Sequence, residues 1–202
     1  MARGNVSGAL RGEGIAPGMK IGLFGGSFDP VHAGHRHVAE TARRRLGLDQ
    51  VWWLVSPQNP LKSRRAGDFR TRLETVQQQA GGKGMVISDI ESRLGTRYTV
   101  DLIDRLKTRF PRTRFVWIMG GDNLRHFHRW HRWQDILAAL PVAVVARPQD
   151  PLKAQLSPMA RRYATSRIRE SEAKKLPLTK LPAWTYLIEP LQSVSSTALR
   201  AR

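Results

Sequence analysis

Short, nearly continuous apolar runs set the first constraint on this chain: KIGLF at residues 20–24, VWWLV at 51–55, FVWIM at 115–119 and VAVVA at 142–146. A strand with one face in water alternates polar and apolar side chains, whereas a run without that alternation needs cover on both faces. Stretches with helical spacing lie between the runs. They are HRHVAETARRRL at 35–46, residues 69–79 with Leu73 and Val76 on one face, and TVDLIDRLKTR at 99–109. MVIS at 85–88 reads as a third strand in chain order, and residues 186–188 as a sixth. Strands interleaved with amphipathic helices predict a single α/β domain, a doubly wound, Rossmann-like parallel sheet with helices on both faces. Residues 148–182, basic and punctuated by proline, show no clear pattern.

The 202 residues suit one domain. Residues 1–18 are glycine-rich and lack the apolar centre of a secretory signal, so they are expected to form a flexible extension before a folded domain at 19–202. Met19, directly before the first strand, is a candidate start. Absence of cysteine excludes disulfides and thiolate chemistry and fits a cytoplasmic location. No run approaches the roughly 18 apolar residues of a membrane span.

A formal charge of +18 raises the question of nucleic acid. The basic residues are scattered, however, as Arg43, Arg44 and Arg45, then Arg161 and Arg162, then Lys174 and Lys175. Aromatic residues do not recur among them as base-stacking platforms would. The favoured reading is a solvated basic surface that attracts small polyanions, with no nucleic-acid partner.

Open α/β sheets bind ligands beyond the carboxyl ends of their strands. The polar segments fall there: GGSFDPVHAGH after the first strand, SPQNPLKSR after the second, GGDN after the fourth and ARPQD after the fifth. Gly25 and Gly26 would let backbone N–H groups approach an anion, and Ser27 adds a hydroxyl. Their spacing is neither the dinucleotide fingerprint nor the P-loop. His32 should lie in the turn and His35 at about the first helical position, both beside the positive end of a helix. As metal ligands they lack a supporting Cys, Asp or Glu at metal-site spacing. Each alone could be a structural histidine; together they fit best as donors to a phosphoryl group. Near the C-terminus, Ser195, Ser196 and Thr197 look like helix N-caps with Arg200 one turn on, either a capped terminal helix or a phosphate grip.

GGSFDPVHAGH resembles the HxGH-type ATP signature of the nucleotidyltransferases related to class I aminoacyl-tRNA synthetases. Its form is similar to that of the bacterial nicotinate-nucleotide adenylyltransferase family. The resemblance continues in order through SPQNPLK (56–62), Arg72, Tyr98–Thr99, GGDNL (120–124), Trp130, ARP (146–148) and SVSSTALR (193–200). It implies attack of nicotinate mononucleotide on the α-phosphorus of ATP, giving deamido-NAD and pyrophosphate. The substrate phosphate is already an anionic nucleophile, so catalysis reduces to alignment and charge neutralisation. By the same resemblance His32, His35 and Arg200 are catalytic. ATP would lie against Gly25, Gly26, Ser27, Phe28, Gly120, Asp122, Arg147, Ser195, Ser196 and Thr197 as well. The acceptor would lie toward Lys62, Arg72, Tyr98, Thr99 and Trp130, and magnesium (Mg2+) would be held mainly by the ATP phosphates, with no protein metal site.

Trp52, Trp53 and Trp117 are expected in the core, and His126, His128 and His131 in solvent. Many members of the family continue into a helical tail, whereas this sequence stops two residues after Arg200: either it belongs to a compact subfamily or its C-terminal grip forms only when ATP binds, and the second is the expectation. A sister enzyme using nicotinamide mononucleotide or phosphopantetheine is the alternative reading, and a basic nucleic-acid-binding module the second. A homo-oligomer is compatible with the sequence and not required by it.

Overall fold

The computed structural model describes residues 14–57, 66–146 and 156–188. Six parallel strands stand in the order β3-β2-β1-β4-β5-β6. They are β1 (Lys20–Gly26), β2 (Gln50–Val55), β3 (Met85–Ser88), β4 (Arg114–Gly120), β5 (Val142–Ala146) and β6 (Trp184–Ile188). The order reverses direction at β1 and β4, which pair with Leu23 opposite Trp117 and Phe24 opposite Ile118. That reversal opens a crevice at their carboxyl ends.

Alternation within each apolar run splits the core in two. Ile21, Leu23, Trp52, Leu54 and Trp117 face one side. Phe24, Trp53, Val55, Val116 and Ile118 face the other. The second side is covered by α1 (Ala33–Leu46), α2 (Phe69–Ala80) and a 3-10 segment at Glu170–Leu178, through Val38, Ala42, Val76 and Leu176. The first is covered by α3 (Ile90–Leu94), α4 (Thr99–Arg109), α5 (Gly121–His126), α6 (Trp133–Ala139) and α7 (Pro158–Arg162), through residues such as Ile90, Leu102, Leu124, Ile136 and Met159. Both faces being dry, the strands have no use for alternating polar positions.

Two expectations are corrected in detail. The first strand does not end at Phe24: it continues through Gly25 and Gly26, so the glycine pair is strand and not turn. The first helix starts at Ala33, which makes His32 its N-cap and His35 its third residue. Next to residue 18, Ile15 lies against the core and the Gly18 N–H donates to the Arg112 carbonyl at 3.0 Å. Residues 158–178, unpatterned in sequence, form α7 and two 3-10 segments at Ala164–Ser166 and Glu170–Leu178. Among the described residues no helix is long and apolar enough to cross a membrane.

Candidate active site

A cavity of about 650 Å³ opens at the β1–β4 reversal. Its wall takes Gly25, Gly26 and Ser27 from the end of β1, Ser56 after β2, Glu91 after β3, and Asp122 and Asn123 after β4. Four loops thus converge where the sheet topology predicts a ligand.

The two glycines are explained by what lies beneath them. A Cβ on Gly25 would come within 2.7 Å of the Trp117 ring, and one on Gly26 within 2.9 Å of Phe28. Aromatic rings fill the space under the strand end, so only a residue without a side chain fits. Phe28 takes a left-handed backbone (φ +46°), unusual for a bulky residue, and is 2% exposed. Its ring packs edge-on to Phe24 at 5.4 Å and against Trp53 at 5.1 Å. Phe28 therefore anchors the loop from below while forming part of the cavity floor.

His32 and His35 meet at the entrance of α1 with ring centroids 3.8 Å apart and planes 31° from parallel. The His32 Nδ1 accepts from the Gly34 N–H at 3.1 Å, and the His35 Nδ1 accepts from the His32 N–H at 3.3 Å. A neutral imidazole whose Nδ1 accepts must carry its proton on Nε2. Both rings thus present an Nε2–H donor, fixed by a reciprocal cap. The opposite end of α1 carries Arg43, Arg44 and Arg45 in its last turn and closes on Gly47 in the left-handed region (φ +63°). That end suits the helix dipole with cations, leaving its N-terminal end positive for an anion.

The opposite wall is aromatic. Tyr98 and Thr99 open α4, and Tyr98 stacks on His131 with centroids 4.3 Å apart. Trp130 stands edge-on to Trp117 at 5.9 Å and to Phe127 at 5.2 Å. The Arg97 guanidinium lies 5.6 Å over the Tyr98 ring, and Arg129 joins the same wall. The carboxylate of Asp122 sits above Gly120, where an added Cβ would meet its Oδ1 at 2.6 Å. Gly120 caps α5 and supports this wall from behind.

Of the expected site residues, the cavity collects Gly25, Gly26, Ser27, Phe28, His32, His35, Asp122, Tyr98, Thr99 and Trp130. Lys62, Arg147, Ser195, Ser196, Thr197 and Arg200 lie outside the described residues. Arg72 is the correction. Expected toward the acceptor, it is 5% exposed and points into the protein. Its Nη1 donates to the Ser27 carbonyl at 2.7 Å and the Ser56 carbonyl at 2.8 Å. Its Nη2 donates to Pro57 at 3.0 Å and its Nε to Gly67 at 2.9 Å. Burial lowers its pKa, and Asp29 and Asp68 oppose that effect. Asp29 also accepts from the Gly67 N–H at 3.0 Å. Arg72 holds the loops after β1 and β2 in register with the start of α2.

Sequence reasoning missed Ser56, Glu91, Arg97, Arg129 and His131, and gave Trp117 to the core alone, whereas all six line the cavity. Glu91 is the most unusual of them. Burial raises its pKa from 4.5 to about 7, and a hydrogen bond with Ser56 only partly offsets this. Among the described residues no group of three or more His, Cys, Asp or Glu could hold a metal ion.

An imidazole pair at a helix N-terminus facing aromatic rings, at the reversal of a parallel sheet, has the form of an α/β ligand site suited to a nucleotide. The cytidylyltransferase-like family model matches residues 23–202, and the chain belongs to that family of nucleotidyltransferases. Enzymes of this kind generally use a divalent metal. The chain is 54% identical over 185 residues to a probable nicotinate-nucleotide adenylyltransferase of Caulobacter sp. (strain K31), covering 91% of this chain and 98% of that protein. It is 49% identical over 193 residues to one from Parvibaculum lavamentivorans, covering 95% and 96%. At such identity over nearly its whole length, it belongs to the nicotinate-nucleotide adenylyltransferases. Among solved structures it is similar in fold to the Plasmodium falciparum nicotinic acid mononucleotide adenylyltransferase complexed with NaAD. There the TM-score is 0.60 at 17% identity, over 88% of this chain and 77% of that one.

Proposed function

We propose that the chain transfers the adenylyl group of ATP to nicotinate mononucleotide, forming deamido-NAD and pyrophosphate in NAD biosynthesis. One observation carries the assignment of the site: the stacked pair His32–His35, at the positive end of α1, shares a single cavity with Tyr98, Thr99 and Trp130. One end suits a triphosphate and the other a flat aromatic ring.

An oxygen of the acceptor's phosphate attacks the α-phosphorus, the bond from that phosphorus to the bridging oxygen breaks, and pyrophosphate leaves with the electron pair. No protein nucleophile takes part. The Nε2–H groups of His32 and His35 and the hydroxyl of Ser27 donate to the phosphate oxygens as charge moves onto the leaving group. Arg97 and Arg129 lower the repulsion between two anionic substrates. Tyr98 and Trp130 flank the pyridine ring, and Thr99, at the first turn of α4, offers its hydroxyl to the ring carboxylate. Magnesium, carried by the ATP phosphates, would supply further charge neutralisation. The described residues suit such a cation bound through substrate, since the carboxylates of the wall are dispersed. The C-terminal Ser195, Ser196, Thr197 and Arg200, with Arg147, complete the grip on ATP in this reading, and Lys62 serves the acceptor phosphate.

Pyrophosphate release with ATP and magnesium tests the reading. Nicotinate mononucleotide should support turnover, and nicotinamide mononucleotide and phosphopantetheine should not. Equal release with the amide would remove the carboxylate-reading role given to Thr99. Release with phosphopantetheine alone would move the chain to a sister activity.

A further inference from the structure

A carboxylate is the wrong charge for a cavity that takes two phosphorylated substrates. Glu91 nevertheless lines it, from the first turn of α3, immediately after β3. Its side chain bonds to Ser56, which follows β2, so two loops fix its position. No arginine or lysine among the described residues neutralises it. The nearest in sequence, Arg93, donates to Asp89 at 2.6 Å and to Ser88 at 3.3 Å. A carboxyl held half-buried without a cation costs stability, and such an arrangement in a cleft points to a ligand.

The acceptor supplies what the protein withholds. In nicotinate mononucleotide the pyridine nitrogen is glycosylated and therefore quaternary, so the ring bears a positive charge at every pH. A delocalised cation favours aromatic faces and a nearby carboxylate. The cavity offers the aromatic rings of Tyr98 and Trp130, and Glu91 lines the same cavity. We propose that Glu91, oriented by Ser56, is a specificity-determining residue that binds the cationic pyridinium ring of the acceptor and selects it over uncharged rings. Ser56 acts through Glu91 and is a positioning residue. The inference rests on the acceptor proposed above.

The test uses the full chain with ATP and magnesium and two acceptors. One is nicotinate mononucleotide. The other is its carbon-linked analogue, in which a neutral benzoate ring replaces the pyridinium on the same ribose phosphate. Wild-type protein should show a lower KM for the pyridinium acceptor than for the analogue with the uncharged ring. Glu91→Gln should raise the KM for the pyridinium acceptor about tenfold, the order expected of a partly desolvated charge contact. Its KM for ATP and for the neutral analogue should stay within about twofold, so that the two acceptors converge. Glu91→Asp should recover part of the preference. An equal rise for both acceptors would assign Glu91 to the ribose or to general packing and overturn the inference. So would an unchanged KM with a fallen kcat. Failure of wild-type protein to use nicotinate mononucleotide would overturn the functional reading and this inference together, whereas turnover with no charge discrimination overturns the inference alone. Glu91→Gln replaces a carboxyl by an isosteric amide, and thermal unfolding confirms that the variant is folded in each comparison.

Discussion

Replacing Arg72 by Met removes four hydrogen bonds while keeping most of the side chain's length. Each bond from a charged donor contributes about 1.5–3 kcal/mol, so a simple sum would run from about 6 to 12 kcal/mol. That sum overshoots, because the carbonyls of Pro57 and Gly67 belong to exposed residues and can take water when the guanidinium is gone. The Ser27 bond is buried and the Ser56 bond partly so, and these two carry most of the loss. The expected loss is roughly 3–5 kcal/mol. In a domain of this size that lowers Tm by about 10 °C. Arg72→Lys keeps the charge and loses the fork, and one ammonium cannot reach carbonyls on three segments, so it should recover less than half of the loss. Urea unfolding of both variants measures the stabilities, and steady-state kinetics measures KM for each substrate. The reasoning is refuted if Arg72→Met unfolds within about 1 kcal/mol of wild type while its KM for the acceptor rises more than tenfold. That outcome would return Arg72 to the substrate, where the sequence alone had placed it.

Other perturbations read separate parts of the site. Gly25→Ala sets a methyl against the Trp117 ring, where only 2.7 Å is available. It should cost about 1–3 kcal/mol in urea unfolding and reduce turnover by displacing the cavity floor. His35→Ala removes one Nε2–H donor and one half of the cap; pyrophosphate release should fall about 10²–10³-fold, against a stability loss near 1 kcal/mol. Equal losses in both would count against a role at the phosphates. Glu91 binds a proton more tightly folded than unfolded, with its pKa raised from 4.5 to about 7. Its contribution to stability is therefore full below about pH 4.5 and is lost as pH rises to about 7. Glu91→Gln should flatten this slope and stabilise the protein at pH 8 by at most roughly 3 kcal/mol, read from urea midpoints across pH. A variant less stable than wild type at pH 8 would mean that the carboxylate is satisfied in the fold.

The sheet was legible because burial on both faces imprints itself on every residue of a strand. VWWLV and VAVVA leave no polar alternative, and β2 and β5 lie where those runs lie. The anion corner was legible for a different reason: GGSFDPVHAGH is contiguous, so its chemistry is gathered before folding. The aromatic and acidic wall was not. Glu91, Arg97 and the near neighbours Arg129 and His131 come from three separate segments, and only the packing of those segments around the sheet brings them together. A lone glutamate in IESRL reads like any exposed helical carboxylate. Arg72 misled in the opposite sense, since an arginine in an amphipathic helix is usually solvated. Its partners are backbone carbonyls, which every residue has and no sequence pattern marks. The glycines at 25 and 26 were read as freedom for a phosphate, and the rings of Trp117 and Phe28 beneath them supply a second, steric reason that only packing reveals.

All the described residues of the cavity wall come from positions 24 to 131. Beyond them, β5, β6 and the segments between add the outer strands and cover both faces of the sheet. Divergence is thereby partitioned along the chain: substitutions at 156–188 can tune melting behaviour or attach new surface contacts while the described wall keeps its shape. A lineage could drift far in that frame without its chemistry changing, whereas a single exchange at Gly25 or Glu91 would be felt at once. Similarity between relatives counted over residues 24–131, together with Arg147 and residues 195–200, is therefore a better guide to shared chemistry than similarity counted over residues 156–188.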